Sequence, residues 1–202
     1  MTGHAGGADG GGESETGPQT GPIRGSITVR PFAAIADRPR LKPEIEAIFF
    51  AASATRSFAG DAVRTAFRER WLGRFLDHFP DCAFLALDDD GAVAGYIVGA
   101  LADPAKDPRF SDIGYFRDFG HLTARYPAHL HINLAANARN RGIGGRLIDA
   151  FCGHARTQGA PGVHAVTAEQ SRNRSFYARN GFALQATVDR SGPAIVFLAR
   201  AL

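Results

Sequence analysis

The sequence predicts an α+β fold built around a mixed β-sheet, and three features favour it. Two apolar runs, at 82–87 and 92–101, flank the turn sequence DDDG, whose Asp-Gly step is typical of a tight hairpin turn. A strand, a glycine-rich loop, a helix and another strand follow one another over 128–167, as in a parallel strand–helix–strand crossover. Two strands joined by a polar turn end the chain. Hairpins beside a crossover place parallel and antiparallel neighbours in one sheet.

The first half of the chain supplies one strand, two helices and the hairpin. Residues 26–30, SITVR, alternate between polar and apolar side chains, which predicts a half-buried strand. Residues 43–53 and 59–78 carry apolar side chains at helical spacing, and Pro80 ends the second helix. The aspartates at 88–90 are interpreted as a turn and not as a metal site, because no later ligand such as a bidentate glutamate follows them. The apolar face predicted for the second helix consists of Val63, Phe67, Trp71, Phe75 and His78.

A polar and aromatic stretch at 102–127 follows the hairpin. Segments of this length without regular structure are uncommon in compact domains and are often functional. Its aromatic side chains predict that it packs against the domain, with a short helix around 112–119. Gly181 is expected to close the last helix in the left-handed conformation. The remaining predicted elements are strands at 128–134, 163–167, 182–188 and 194–201 and helices at 144–157 and 172–180.

Glycine usage divides the 202-residue chain into a tail and a domain. Nine of the 24 glycines lie in residues 1–25, a stretch with almost nothing to bury, so this segment is predicted to be disordered. Residues 26–202 are predicted to form a single domain that is long enough to build its own core. Nothing in the sequence repeats at a fixed period.

Composition excludes several classes of protein. No apolar run approaches the roughly 18 residues of a membrane span, and no apolar segment of roughly 7–15 residues follows the start as in a secretory signal. Two cysteines are too few for a disulfide scaffold. The formal charge is +3, but without a run of basic residues it does not indicate a nucleic-acid partner. We therefore predict a cytoplasmic protein that binds neither membrane nor nucleic acid.

The most informative segment is 134–148, LAANARNRGIGGRLI, in which a predicted strand leads through a glycine-rich loop into a helix. Glycines let backbone approach a ligand closely, and the first N–H groups of a helix, with its dipole, attract anions. Three arginines, Arg139, Arg141 and Arg146, add charge. The segment predicts a pyrophosphate site, with a plain tight turn as the alternative. It lacks the lysine of a phosphate-binding P-loop and the glycine spacing of a dinucleotide fold.

Two motifs with correct order and spacing resemble the GNAT superfamily of N-acetyltransferases. Residues 139–144, RNRGIG, match its Q/R-x-x-G-x-G/A signature, and residues 175–182, SFYARNGF, resemble its helix ending in aromatic–Tyr–x–x–x–Gly–Phe. The first strand, ITVRP, is also similar, so that the resemblance covers about 26–202. It implies acetyl-CoA as cofactor and a GNAT-like, mostly antiparallel sheet flanked by helices, with a splayed central strand pair.

The resemblance also implies cofactor-binding residues. The strand positions Ile132, Asn133 and Leu134 would face the pantetheine arm. The family's asparagine seven residues before its tyrosine is replaced here by Gln170, and Asn173 lies four before, so that either is a candidate for contacting the cofactor. The positions implied for the pyrophosphate are Arg139, Arg141, Gly142, Ile143, Gly144 and Gly145, with Arg146 adding charge.

Acetyl transfer to an amine needs a deprotonated nitrogen, a polarised carbonyl and a protonated leaving thiolate. By resemblance, Tyr177 occupies the position of the general acid, with a packed aromatic as the alternative. Strand alternation places His129, His131 and Asn133 on one face, and an imidazole is a suitable base near neutral pH. His131, nearer the carbonyl end of the strand, is the preferred base; a packed histidine or deprotonation through water is the alternative. A metal on His-x-His is not favoured, because no third ligand is indicated.

The predicted function is acetyl-CoA-dependent transfer of an acetyl group to a primary amine by direct attack on the thioester. The acceptor, a small molecule or a peptide, is left open, as is a homodimer. The alternative is a non-catalytic acyl-CoA-binding or protein-interaction module of the same fold.

Residues 125–132, RYPAHLHI, carry a narrower resemblance to bacterial GNAT proteins that are similar to the C-terminal acetyltransferase-like domain of protein O-GlcNAcases. Candidates for attracting the ammonium of the acceptor, with solvated surface carboxylates as the alternative, are Asp107, Asp112, Asp118 and Glu169.

Overall fold

The computed structural model describes residues 23–189 and 192–202. Most of the predicted tail lies outside these ranges, and only its last three residues are described. These are fixed to the hairpin turn: the Arg24 N–H donates to the Asp88 carboxylate over 3.1 Å, and the Asp89 N–H donates to the Arg24 carbonyl over 3.3 Å. The described chain therefore begins on the hairpin, three residues ahead of the predicted domain.

One seven-stranded sheet organises the described residues, with strand order β1-β2-β3-β4-β5-β7-β6. All neighbours are antiparallel except β4 and β5. The predicted mixed, mostly antiparallel sheet with one parallel crossover is therefore confirmed. The strands are β1 (Thr28–Pro31), β2 (Phe84–Leu87), β3 (Val93–Ala100), β4 (Ala128–Leu134), β5 (Gly162–Ala168), β6 (Ala183–Val188) and β7 (Ile195–Ala201).

The parallel pair β4–β5 separates soon after it begins. Its register contains only Ala128 opposite Val163 and His129 opposite His164. On its other side β4 stays paired with β3 from His129 to Leu134. The two strands therefore diverge toward their carboxyl ends, which confirms the splayed central pair and leaves the β5-facing backbone edge of residues 130–134 outside the ladder.

The helices lie on both sides of this sheet. Most predicted helices are confirmed to within a few residues, but α1 begins before position 43 because Pro39 suits the first helical turn, where no N–H is needed. None of the helices in the described ranges is long and apolar enough to cross a bilayer. They are α1 (Arg38–Ala52), α2 (Asp61–Arg68), α3 (Arg74–His78), α4 (Tyr115–Asp118), α5 (Gly120–Thr123), α6 (Ile143–Thr157) and α7 (Asn173–Arg179).

The predicted helix over 59–78 contains a π-helical turn, Glu69–Gly73, between α2 and α3. A π turn shifts the residues that follow it around the helix axis. The buried positions are consequently Leu72, Phe75 and Leu76, whereas Val63 is 52% exposed and His78 is exposed. The predicted apolar face is thus wrong at its two ends, and the strand predicted from 82 begins instead at 84, after a 3₁₀ turn.

Two other predictions for the middle of the chain are confirmed. The hairpin turn is closed by the Asp88 carboxylate, which accepts the N–H groups of Asp90 and Ala92 over 3.0 and 2.9 Å, and Gly91 has φ +77°. The 102–127 segment packs against the sheet through Phe110, Phe116 and other buried side chains. Its short helices α4 and α5 form near the predicted position.

Candidate functional site

The N-terminus of α6 presents free backbone donors. Gly142 is the N-cap residue, with φ +74°. Because glycine has no side chain, it makes no capping hydrogen bond to the first turn of the helix. The Arg146 N–H donates to the Gly142 carbonyl over 3.3 Å. The N–H groups before it, of Ile143, Gly144 and Gly145, belong to the first turn and have no carbonyl four residues earlier in the helix. With the helix dipole, these donors form a site suited to a phosphate.

The three arginines around this helix start are exposed and unneutralised. Arg139, Arg141 and Arg146 all lie on the surface. Within 23–189 and 192–202 no carboxylate forms an ion pair with any of them, and the first turn of α6 contains no acidic residue. Their positive charge therefore adds to that of the helix terminus.

The glycines of this segment do not all serve the same purpose. Beside Gly142 an added Cβ would meet open space. A Cβ on Gly144 would lie 2.8 Å from Cε2 of Phe176, and one on Gly145 would lie 3.2 Å from Oδ1 of Asn180. The missing side chains at 144 and 145 thus allow α7 to pack on α6, a reason that the sequence interpretation, which assigned these glycines to the phosphate, did not include.

The gap between β4 and β5 extends along β4 to the segment that leads into this helix. The strand positions Ile132, Asn133 and Leu134 lie on the part of β4 that has left β5. The Asn133 side chain is engaged elsewhere, since its Nδ2 donates to the Tyr96 hydroxyl over 2.8 Å. Backbone groups, and not this side chain, are therefore what the open edge offers to a ligand.

Tyr177 lies on α7 and is 6% exposed. Its ring contacts Phe176 and Phe182, each with a centroid distance of 5.3 Å. Burial raises the pKa of its hydroxyl, so that the group stays protonated at neutral pH.

The helix that carries Tyr177 ends as predicted. Gly181 follows it with φ +82°, and the Phe182 N–H donates to the Tyr177 carbonyl over 3.1 Å.

The two candidates for the middle of the cofactor lie at and just before the start of α7. Gln170 is in the turn after β5, and Asn173 is the first residue of α7; both are exposed. Gln170 also borders a hollow of about 390 Å³ that includes Arg174 and Leu184.

The β4 histidines face α3 together, as the alternation predicts. Phe75 contacts both rings, at 5.7 Å from His129 and 5.2 Å from His131. Trp71, on the π turn, contacts His131 edge-on at 5.4 Å. Burial, and then the nearby Arg74, lowers the pKa of His131 to about 4. His131 is therefore neutral at physiological pH, with a lone pair available on its ring.

Two carboxylates predicted to attract an ammonium are already paired with arginines. Asp112 accepts hydrogen bonds from Arg70 and Arg74 over 2.8 Å each, and those from Arg74 contribute most to lowering its pKa to about 2. Asp107 is bound by Arg109, which lowers the pKa of the carboxyl. The Asp112 ion pairs fix the 102–127 segment to the π turn and α3, whereas the Asp107–Arg109 pair lies within that segment. An ammonium-attracting role is not supported for either carboxylate.

Two features were missed from the sequence because they join distant positions. Trp71 and Tyr115 stack at 6.3 Å beside His131. Cys82 Sγ lies 3.9 Å from His154 Nε2, and both residues line a cavity of about 750 Å³. Burial, then Asp81, raises the pKa of Cys82 to about 11, so the thiol is protonated, as expected for a structural cysteine.

Comparison with known proteins agrees with this geometry. The sequence model of the acetyltransferase (GNAT) family matches residues 52–182, more than half of the chain. The crystal structure of SsHAT is 23% identical with a TM-score of 0.65, covering 88% of this chain and 98% of its own. A GNAT phosphinothricin acetyltransferase from Sinorhizobium meliloti, in complex with acetyl-CoA, is 23% identical with a TM-score of 0.56 and coverages of 87% and 88%. A ribosomal-protein-alanine N-acetyltransferase from Brucella melitensis is 21% identical with a TM-score of 0.57 and coverages of 87% and 99%.

Packing of α6 on α7 predicts unequal effects of alanine at two glycines of α6. Gly144→Ala forces the Phe176 ring to move and should lower the free energy of unfolding by about 1–3 kcal/mol. Gly153, in the same helix, has nothing within 4 Å of its Cβ position, so Gly153→Ala should stabilise by up to about 1 kcal/mol. Urea unfolding measures both, and equal effects would contradict the assigned role of Gly144.

The buried histidines predict loss of stability in acid. Burial lowers the pKa of His131 and His164 from 6.5 to about 4. Between these values the unfolded chain binds protons that the folded chain does not, so stability is complete above pH 6.5 and falls toward pH 4. Each buried histidine contributes a slope of about 1.4 kcal/mol per pH unit. Urea unfolding at several pH values should show a smaller slope for His131→Phe and an unchanged slope for exposed His121→Asn.

Proposed function

Because the chain belongs to the acetyltransferase (GNAT) family, we propose that it is an N-acetyltransferase that uses acetyl-CoA. It transfers the acetyl group to a primary amine of a small molecule or a peptide, by direct attack of the nitrogen on the thioester. One observation carries the proposal: the gap between β4 and β5 opens toward the uncapped, positively charged start of α6. An elongated ligand with an anionic end suits this combination.

The residues present fit acetyl-CoA, which supplies the acetyl group as a thioester when bound. The N–H groups of residues 143–145, with Gly142 and the three arginines, would hold the pyrophosphate. The backbone of Ile132–Leu134 would pair with the pantetheine amides as a neighbouring strand would. Gln170 or Asn173 would contact the middle of the cofactor.

Tyr177 is the proposed general acid. Its raised pKa keeps the hydroxyl protonated through the neutral range, so that it has a proton to give to a leaving sulfur. Its position on α7 depends on the packing of Phe176 against Gly144, which links the acid to the phosphate-binding helix.

His131 is the proposed base. Its Nε2 is buried, and the described residues give it no hydrogen-bond partner. Its pKa of about 4 means that it accepts a proton only transiently and must pass it on. The Trp71 and Tyr115 rings beside it favour an acceptor whose amine is attached to a flat or apolar group.

Four expectations from the sequence stay predictions: a cytoplasmic location, a homodimer, a disordered segment at 1–25 and closeness to O-GlcNAcase-like bacterial proteins.

Cofactor binding tests the phosphate site. Acetyl-CoA should bind the wild-type protein in calorimetric titrations, and Arg139→Gln with Arg141→Gln should weaken binding about tenfold or more, since about 1.4 kcal/mol corresponds to a factor of ten. Arg38→Gln with Arg40→Gln, on α1, removes the same charge elsewhere and is the matched control. No binding at millimolar acetyl-CoA would reject the proposed function.

Thiol release tests catalysis. Tyr177→Phe should reduce the rate of CoA thiol release about 10²–10⁴-fold with an active amine, the usual contribution of general acid–base catalysis, while acetyl-CoA affinity is retained. Tyr126→Phe, at another buried tyrosine, is the control. An unchanged rate in Tyr177→Phe would rule out its role as the acid. Cofactor binding without thiol release for any amine in a panel would support the non-catalytic module instead.

A further inference from the structure

The cavity of about 750 Å³ beside Cys82 is separate from the gap between β4 and β5. It lies where α6 packs against β1 and β2, and we call it the α6 cavity. Its helical lining runs from Asp149 to Gln158, toward the end of α6 that is opposite the free N–H donors of 143–145. Among the described residues that line it, none belongs to 130–146. The proposed reaction therefore makes no use of this cavity.

Part of the lining of the α6 cavity is apolar. Val29 and Leu101 are half-buried there, and Phe84 is 7% exposed. On the helix, a Cβ added at Gly153 would meet open space, so the cavity extends to the helix backbone. Concave spaces of roughly 300–1,000 Å³ with a largely apolar lining and a few polar groups are typical of small-molecule sites. The α6 cavity has the size and the apolar surface for such a ligand.

The charged side chains that line the cavity are both acidic. Asp81 and Asp149 are exposed at it, and no lysine or arginine lines it within 23–189 and 192–202. Arg200 approaches Asp149 only to 3.9 Å, and the Asp149 side chain remains 74% exposed. The charge of Asp81 reaches into the lining, because it adds to the effect of burial in raising the pKa of Cys82 to about 11. The lining therefore favours a cation.

A thiol–imidazole contact fixes the remaining polar groups. Cys82 Sγ lies 3.9 Å from His154 Nε2, and the His154 ring meets Phe84 edge-on at a centroid distance of 5.8 Å. Thiols, imidazoles and carboxylates are the side chains that bind zinc. However, no three such side chains in the described part of the chain are arranged to hold a metal ion. The geometry thus favours an organic ligand over a metal.

The first residues of the chain do not have the chemistry of an occupant. Residues 1–22 contain three carboxylates, no lysine or arginine, and no aromatic or branched apolar side chain. They would bring negative charge to an acidic lining and little apolar surface to its apolar part. Like charges repel, and the burial of apolar surface is what stabilises most ligands in such a site. The occupant that fits is consequently a separate molecule.

We propose that the α6 cavity is a second ligand site, which binds a small organic cation consisting of an ammonium group on an apolar body. The carboxylates of Asp81 and Asp149 attract the ammonium, and the apolar body packs against Val29, Phe84 and Leu101. The Phe84 ring adds to the attraction, since an aromatic face is favourable for a cation. Binding forms no covalent bond and does not require acetyl-CoA, so the inference is independent of the proposed function.

Two probes of nearly equal shape test the class of ligand. Benzylammonium carries the charge, and benzyl alcohol is its neutral counterpart. In nitrogen-15 NMR titrations of the full chain without acetyl-CoA, benzylammonium should shift the amide signals of residues 81–84 and 149–158 in a saturable way, and benzyl alcohol should bind at least tenfold more weakly. Shifts confined to the acceptor side, around Trp71, would overturn the site. Equal affinity for the two probes would overturn its selectivity for a cation.

Variants of the lining test the location. Gly153→Leu fills the open space and should weaken benzylammonium binding at least tenfold, while acetyl-CoA binding and urea unfolding show that the fold is retained. Asp81→Asn with Asp149→Asn should weaken it about tenfold at exposed positions, which keeps the test decisive if Gly153→Leu does not fold. Asp37→Asn with Asp61→Asn removes the same charge from exposed positions elsewhere and is the matched control. Wild-type affinity in the lining variants would overturn the site.

Discussion

The early separation of two parallel strands is the constraint on which the rest of this molecule depends. β4 and β5 share only two residue pairs before they diverge, although β4 stays paired with β3 from His129 to Leu134 and β5 stays paired with β7 along its whole length. Backbone groups that leave a ladder must find other partners, or water. The site follows from this geometry, since the strand that leaves the ladder also leads into the loop and helix that carry the free N–H donors.

Charge is distributed in two distinct ways around this gap. On the α3 side, Arg70 and Arg74 are bound to Asp112, which holds the 102–127 segment in place, and Arg109 is bound to Asp107 within that segment. At the start of α6 the arginines have no carboxylate among the described residues. Because a paired arginine contributes little net field and an unpaired one attracts anions, arginine stabilises the structure on one side of the gap and favours a phosphate on the other.

Helix packing links the proposed phosphate site to the proposed acid. Gly144 lies in the first turn of α6 and is contacted by Phe176, the neighbour of Tyr177 on α7. On the opposite face of the sheet, the β4 histidines lie among phenylalanines and stay neutral because burial disfavours the charged ring. The proposed acid and the proposed base therefore belong to separate layers, and the opening between β4 and β5 lies between them.

The sequence by itself determined the order of elements, the crossover, the hairpin turn and the helix start at 142–145, because these depend on local periodicity, glycine conformation and helix polarity. It also identified which face of β4 carries the histidines, since alternation is fixed by the strand. Only the tertiary structure decided that Gly144 makes room for Phe176, that a π turn moves Leu72 and Leu76 into the core, and that Asp112 is occupied by arginines. Each of these joins residues far apart in the chain or depends on packing that propensity does not encode.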